Sequence, residues 1–167
     1  VRPSVGAWTL YGLGTENNNL PGFVTICPSM GNGGPRNWSN AFLPSAFQGT
    51  AIGRAGIPAS EAQIRNITNA RRTTDEQRGQ LDLLQALNAE QARRQSPLTA
   101  VPGSSSDSEL DAVISSYDLA FRMQMNAPQI LDLSRETAET HRLYGIGQAG
   151  TDNFGRQCLM ARRLTEA

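Results

Sequence analysis

Residues 3 to 26, PSVGAWTLYGLGTENNNLPGFVTI, join a short aromatic, glycine-rich segment to a hydrophobic strand through a very polar turn. Strand edges of this kind are where α/β proteins place their sites. Ser4 predicts an N-cap, and Val5, Trp8 and Tyr11, spaced three apart, fall on one face of the helix that follows. Gly12 and Gly14 predict its end. Glu16-Asn17-Asn18-Asn19 has no apolar side chain to bury, and each side chain can bond nearby backbone, so it reads as a structured loop. Leu20 to Cys27 then reads as a core strand, with Phe23, Val24 and Ile26 as β-formers and Pro21-Gly22 confined to its start.

The loop Ser29 to Trp38 leaves the carboxyl end of that strand, which makes it the first candidate for lining a pocket. Gly31, Gly33 and Gly34 let backbone amides approach an anion. Asn32, Arg36, Asn37 and Trp38 offer amides, a guanidinium and a flat wall, and form the candidate substrate-binding set. The spacing lacks the Gly-Lys-Ser/Thr ending of a phosphate-cradling loop. The competing reading is a surface loop anchored by a buried Trp38. Phe42, Leu43 and Phe47 are expected to pin the next stretch to the core, with Gln48-Gly49-Thr50 turning the chain away.

Residues 51–72 read as an irregular connection, and 73–126 as an antiparallel helix pair with a linker at 96–105. Thr73 with Glu76 and Thr74 with Gln77 are overlapping capping boxes, ahead of a Leu81, Leu84, Leu87 stripe. Ser106 with Glu109 opens the second helix, whose stripe is Leu110, Val113, Tyr117, Phe121 and Met125, closed by Asn126-Ala127-Pro128. Residues 127–167 are helical. A short helix is capped at Asp132 and stopped at Gly145. A last one turns Phe154, Cys158, Ala161 and Leu164 inward and leads towards a further strand.

Fifteen basic residues, all arginine, balance fifteen acidic ones, which argues against nucleic acid or an anionic membrane as a partner held by net charge. The pairs Arg71-Arg72 and Arg93-Arg94 read as solvated helix ends. No apolar run approaches the roughly 20 residues of a membrane span. Cys27 and Cys158 are expected as buried free thiols rather than a disulfide. His141, the one histidine, lacks a carboxylate at the i,i+4 spacing that a helical metal pair needs, and reads as a surface residue near a helix C-terminus. No Gly-x-Ser-x-Gly elbow occurs. Cys27-Pro28-Ser29 departs from the sulfatase pattern Cys-x-Pro-x-Arg at both the proline and the arginine.

Several segments carry a family likeness in one order: PSVGAWTLYGLGTENNNLPGFV, NWSNAFLPSAFQGT, EQRGQLDLLQALN, ELDAVISSYDLAFRMQ, DLSRET with HRLYG, and GRQCLMARRLTEA. Through these the chain resembles a bacterial family of exported, sulfatase-like proteins defined by domain of unknown function 1501, within the alkaline phosphatase superfamily. The resemblance implies an α/β fold, here a mostly helical part of an alkaline-phosphatase-like three-layer fold. It spans 1–167 as an internal part of one domain, with strand and pocket-side loops in 1–50. It further implies hydrolysis of sulfuric or phosphoric esters, with a sulfated or phosphorylated carbohydrate as substrate. A divalent metal would be held by residues outside this chain, and the rest of the polypeptide would cover its seams. Val1 at the start and a last helix without a stop signal agree with an internal piece. Family members are exported, so a periplasmic or secreted location is implied. On this reading the chain is scaffold and cleft wall without the metal ligands. The alternative is a non-catalytic member binding carbohydrate or a protein partner.

Overall fold

The computed structural model describes residues 2–64, 67–94 and 106–167, with the side chains of residues 92 and 106–111 excepted. The linker predicted at 96–105 and the Ser106/Glu109 box therefore lie outside what is described. Elements in chain order are α1 (Val5–Leu13), β1 (Val24–Ile26), β2 (Thr50–Ile52), α2 (Thr74–Arg94), α3 (Ser106–Leu131), α4 (Ala138–Leu143) and α5 (Asp152–Glu166). The fold is mixed α/β, mostly helical, with a two-stranded parallel sheet among the described residues. None of these helices is long and apolar enough to cross a membrane.

Helix α1 starts where Ser4 Oγ accepts from the Ala7 amide at 3.3 Å, and ends where Gly14, at φ 71°, donates its N–H to the Leu10 carbonyl. Its predicted aromatic face points outward: Val5, Trp8 and Tyr11 are exposed, and Ala7 and Leu10 are the buried residues. Trp8 packs edge-on against Tyr11 and Phe42, so Phe42 lies on the surface rather than pinning its loop to the core. Leu43 does that instead.

The strand expected at 20–27 is only three residues long. Asn17 Oδ1 accepts from the Asn19 and Leu20 amides, and this turn, with Pro21 after it, keeps the first residues out of the ladder. Cys27 ends the strand by turning to φ 46°. The stretch read as turning away at Thr50 is in fact β2, which pairs in parallel with β1 in the register Val24 to Thr50 and Ile26 to Ile52. Ile52 is fully buried and bridges Ile64, so the connection 51–72 begins as sheet. Phe23 sits in a slot that two glycines leave open. A Cβ on Gly6 would lie 2.3 Å from its ring, and one on Gly49 2.7 Å away.

The reciprocal box forms at α2: Thr73 N–H donates to Glu76 Oε2 at 2.8 Å, and Glu76 N–H to Thr73 Oγ1 at 3.2 Å. Gln77 instead donates to the Arg72 and Thr73 carbonyls. Helices α2 and α3 pack together. Their buried positions differ from the predicted stripes: Leu81 is buried in α2, while Leu84 and Leu87 are exposed. In α3 Met123 and Ala127 face the core, and Val113, Tyr117 and Met125 are exposed. The Leu110 side chain lies outside the described set.

Helix α3 also passes the predicted stop and carries Pro128 inside it. Proline forfeits one helical hydrogen bond, and the end of the helix is held from outside. Arg163 of α5 donates Nε to the Ile130 carbonyl at 2.6 Å, Nη2 to the Gln129 carbonyl at 2.9 Å and Nη1 to Glu136 Oε1 at 2.5 Å. The same pull splits the helix expected from Asp132 to Tyr144. Asp132 caps a single turn, Leu133–Arg135, then Glu136 is extended and Thr137 caps α4 separately.

Helix α5 buries Gly155, Leu159 and Met160, whereas Phe154 and Ala161 are exposed and Cys158 and Leu164 half-buried. Leu159 and Met160 join Ala59 and Leu133 in the core, with Ile26 and Cys27 packed against them. Asn153 Oδ1, accepting from the Ala59 amide at 2.6 Å, fixes this helix to the turn beyond β2. Gly155 lies so close to the end of α4 that a Cβ would stand 2.0 Å from the Tyr144 carbonyl oxygen.

Candidate functional site at the strand ends

Parallel strands deliver their loops to one edge, and the loops after β1 and β2 meet beyond the carboxyl ends. The Ala55 N–H donates to the Pro28 carbonyl at 3.0 Å and ties the two together. Gly53 at φ 65° allows the approach, since a Cβ there would lie 2.8 Å from that of Ala62 and 3.2 Å from Cys27 Sγ. Between the loops opens a cleft of about 350 Å³, walled by Pro28, Met30, Pro35 and Trp38 and by Gly53 and Arg54. Its size is at the lower end of small-ligand sites, about 300–1,000 Å³.

Of the four residues singled out from sequence, Trp38 lines this cleft. Its carbonyl accepts from the Gly49 amide at 2.9 Å and from Gln48 Nε2 at 2.9 Å, so the half-buried indole hangs from a fixed backbone. Asn32, Arg36 and Asn37 are exposed and do not line it. Asn37 Nδ2 donates to the Asn32 carbonyl at 3.1 Å and braces a turn in which Asn32 (φ 46°) and Gly33 (φ 103°) are both left-handed. Arg36 belongs to the helical turn Gly34–Trp38, and no ion pair forms at it among the described residues.

Sequence reasoning missed Arg54. It supplies the only charge among the residues lining the cleft, and it too has no ion-pair partner among the described residues. The signal in the sequence is slight: Gly53-Arg54 directly follows Thr50-Ala51-Ile52, as a glycine-bearing loop follows Val24–Ile26. An arginine and a flat aromatic side chain lining one cleft can hold an anionic group and an apolar or sugar face of the same ligand.

The nearby thiol is not an activated nucleophile. Burial pushes Cys27 above the ordinary thiol value, with the Arg54 backbone N–H working the other way, so it stays protonated at neutral pH. Cys27 and Cys158 are both free and half-buried rather than fully enclosed. His141 is half-buried too, its Nε2 2.9 Å from the Leu133 carbonyl, where only a donated proton makes a bond. Among the described residues no three of His, Cys, Asp and Glu come together as metal ligands. The divalent cation that the resemblance implies thus has no donor set among the described residues.

Comparison with known proteins gives one family. The family model described as a protein of unknown function (DUF1501) matches residues 1–167. No curated protein and no solved structure matches the chain. With the match running over the whole sequence, the chain belongs to the DUF1501 family.

Proposed function

We propose that this chain supplies scaffold and one wall of the substrate cleft of an exported, sulfatase-like hydrolase with an alkaline-phosphatase-like fold. The ligand is a carbohydrate bearing a sulfate or phosphate ester. The observation that carries the reading is the strand-end cleft, where Arg54 is the charged lining residue and Trp38 the aromatic one. In parallel sheets ligands collect outside the carboxyl ends of the strands, and a guanidinium suits the planar oxygens of an ester anion better than an ammonium does. The motifs that run in order from PSVGAWTLYGLGTENNNLPGFV to GRQCLMARRLTEA support a sulfatase-like superfamily. Reactive groups and any cation come from elsewhere in the polypeptide on this account.

The test is equilibrium binding of glucosamine 6-sulfate, followed by tryptophan fluorescence, with glucosamine, which has the same amine and no ester, as the control. Arg54→Ala should weaken the sulfated sugar about tenfold, a loss of about 1.4 kcal/mol for one charge-assisted contact. Arg36→Ala measures whether the neighbouring arginine shares the role. Unchanged affinity in both variants refutes anion recognition here. Equal binding of sulfated and plain sugar would favour the non-catalytic carbohydrate binder.

A further inference from the structure

A second cavity, larger than the strand-end cleft, opens between the loop after α1 and the middle of α3, with a volume of about 580 Å³. It touches the cleft only through Thr50 and Ile64. We propose that it is a binding site for an amphipathic anion, an aliphatic chain ending in a carboxylate or sulfate. The proposal is independent of the cleft reading, since none of the groups it uses belongs to Trp38 or Arg54.

Apolar side chains form much of the wall. Leu10, Leu20 and Met123 are buried core residues that also line it, and Phe47 and Leu119 add to the surface. Emptied of a ligand, such a surface is wetted at a cost of about 25 cal/mol per Å², so an aliphatic body is the chemistry that fits it.

The polar groups decide the other end of the ligand. Arg122 is the only ionisable residue lining the cavity, and no carboxylate does so among the described residues. Its Nη2 bonds Asp118 Oδ2 at 2.7 Å, and Asp118 also reaches Arg78 Nη1 at 3.7 Å, so one carboxylate serves two guanidinium groups. Arg122 Nε is buried and has no hydrogen-bond partner among the described residues.

Two of the three amide side chains at the rim, those of Asn17 and Gln48, have their acceptors spent. Asn17 Oδ1 takes the Asn19 and Leu20 amides, and Gln48 Oε1 takes the Asn40 amide. Asn17 Nδ2 and the Arg122 guanidinium remain as donors. A ligand that brings negatively charged acceptor oxygens satisfies them with charge-assisted bonds, which a neutral oxygen makes more weakly and a cationic headgroup opposes.

The test is calorimetric titration of the full chain with octanoate, with octan-1-ol as the uncharged probe. Saturable binding of octanoate at one site is expected, about tenfold tighter than octan-1-ol, the worth of one charged hydrogen bond. Arg122→Gln should remove that preference by weakening octanoate alone, and Arg122→Lys should keep most of it. Ser115→Trp, an exposed rim position, should block both probes without touching the core. Circular dichroism checks that each variant is folded, and Ser115→Trp carries the test if Arg122→Gln is not.

Three outcomes overturn the proposal: no saturable heat with octanoate, equal affinity for the two probes, or full octanoate binding in Ser115→Trp. A fourth does so as well. If sedimentation shows a dimer that octanoate dissociates, the cavity is an interface between copies of the chain.

Discussion

Replacing Arg163 by alanine tests how α5 holds the end of α3 and the Glu136 turn. The guanidinium is 18% exposed and its partner Glu136 14%, and three of its N–H groups are spoken for by Glu136 and by the Gln129 and Ile130 carbonyls. Removing one member of a buried ion pair leaves a desolvated charge without compensation, at a cost of about 3–5 kcal/mol. The two carbonyls lie in the last turn of α3, where water can replace part of what is lost, so they raise the figure little.

For a chain of this size each kcal/mol moves the midpoint by about 2–4 °C, so the thermal transition should fall by roughly 6–20 °C. Glu136→Gln alone should also destabilise, and the double variant should lose less than the sum of the singles. The assay is urea denaturation of the four species of the cycle. A loss under about 1 kcal/mol for Arg163→Ala, or a coupling near zero, refutes the view that this residue holds α3 and splits 132–144.

Gly155→Ala should destabilise by about 1–3 kcal/mol, because the new methyl meets the Tyr144 carbonyl at 2.0 Å and backbone must move; a helical glycine without such a neighbour would instead gain up to about 1 kcal/mol on the same change, so a rise in urea midpoint contradicts the contact. Asp152 is held below the usual carboxylate value by the Arg156 guanidinium first and the Gly147 amide second. A depressed folded value means stabilisation present above the unfolded value of about 3.9 and lost as pH falls through the folded one. A carbon-detected NMR titration should show Asp152 titrating low, and Arg156→Ala should bring it back up; no change in the variant rejects the pairing. Leu159→Ala, at a fully buried site beside Met160, should cost about 2–5 kcal/mol by chemical denaturation, and a value near zero would mean that this core is not packed as described.

The parts of the fold that sequence exposed are those decided within a few residues. Ser4 caps α1, Thr73 and Glu76 form their box, and Asp132 caps its turn because donor and acceptor are three residues apart or fewer. What sequence hid depends on distant partners. Strand β2 is three residues long and exists because Val24–Ile26 lies beside it. The helix through Pro128 and the break at Glu136 both answer to Arg163, which is 27 residues beyond Glu136. The inward faces of α3 and α5 differ from the stripes that the sequence suggests, because aromatic and long side chains dominate those stripes. Packing instead selected the small or flexible Ala127, Gly155 and Met160.

The site divides the same way. Trp38 could be placed near a strand end from its own loop, whereas Arg54 reaches the cleft only through the β1–β2 pairing. Asn37, chosen as a ligand group, serves the turn that carries it.

The cleft between Trp38 and Arg54 is tested most directly by adding glucosamine 6-sulfate to the nitrogen-15-labelled chain and following its amide and indole NMR signals. Saturating shifts at the Trp38 indole, Met30, Gly53 and Arg54, absent with plain glucosamine, are the predicted result. Shifts that are absent, or that fall away from both strand ends, contradict it.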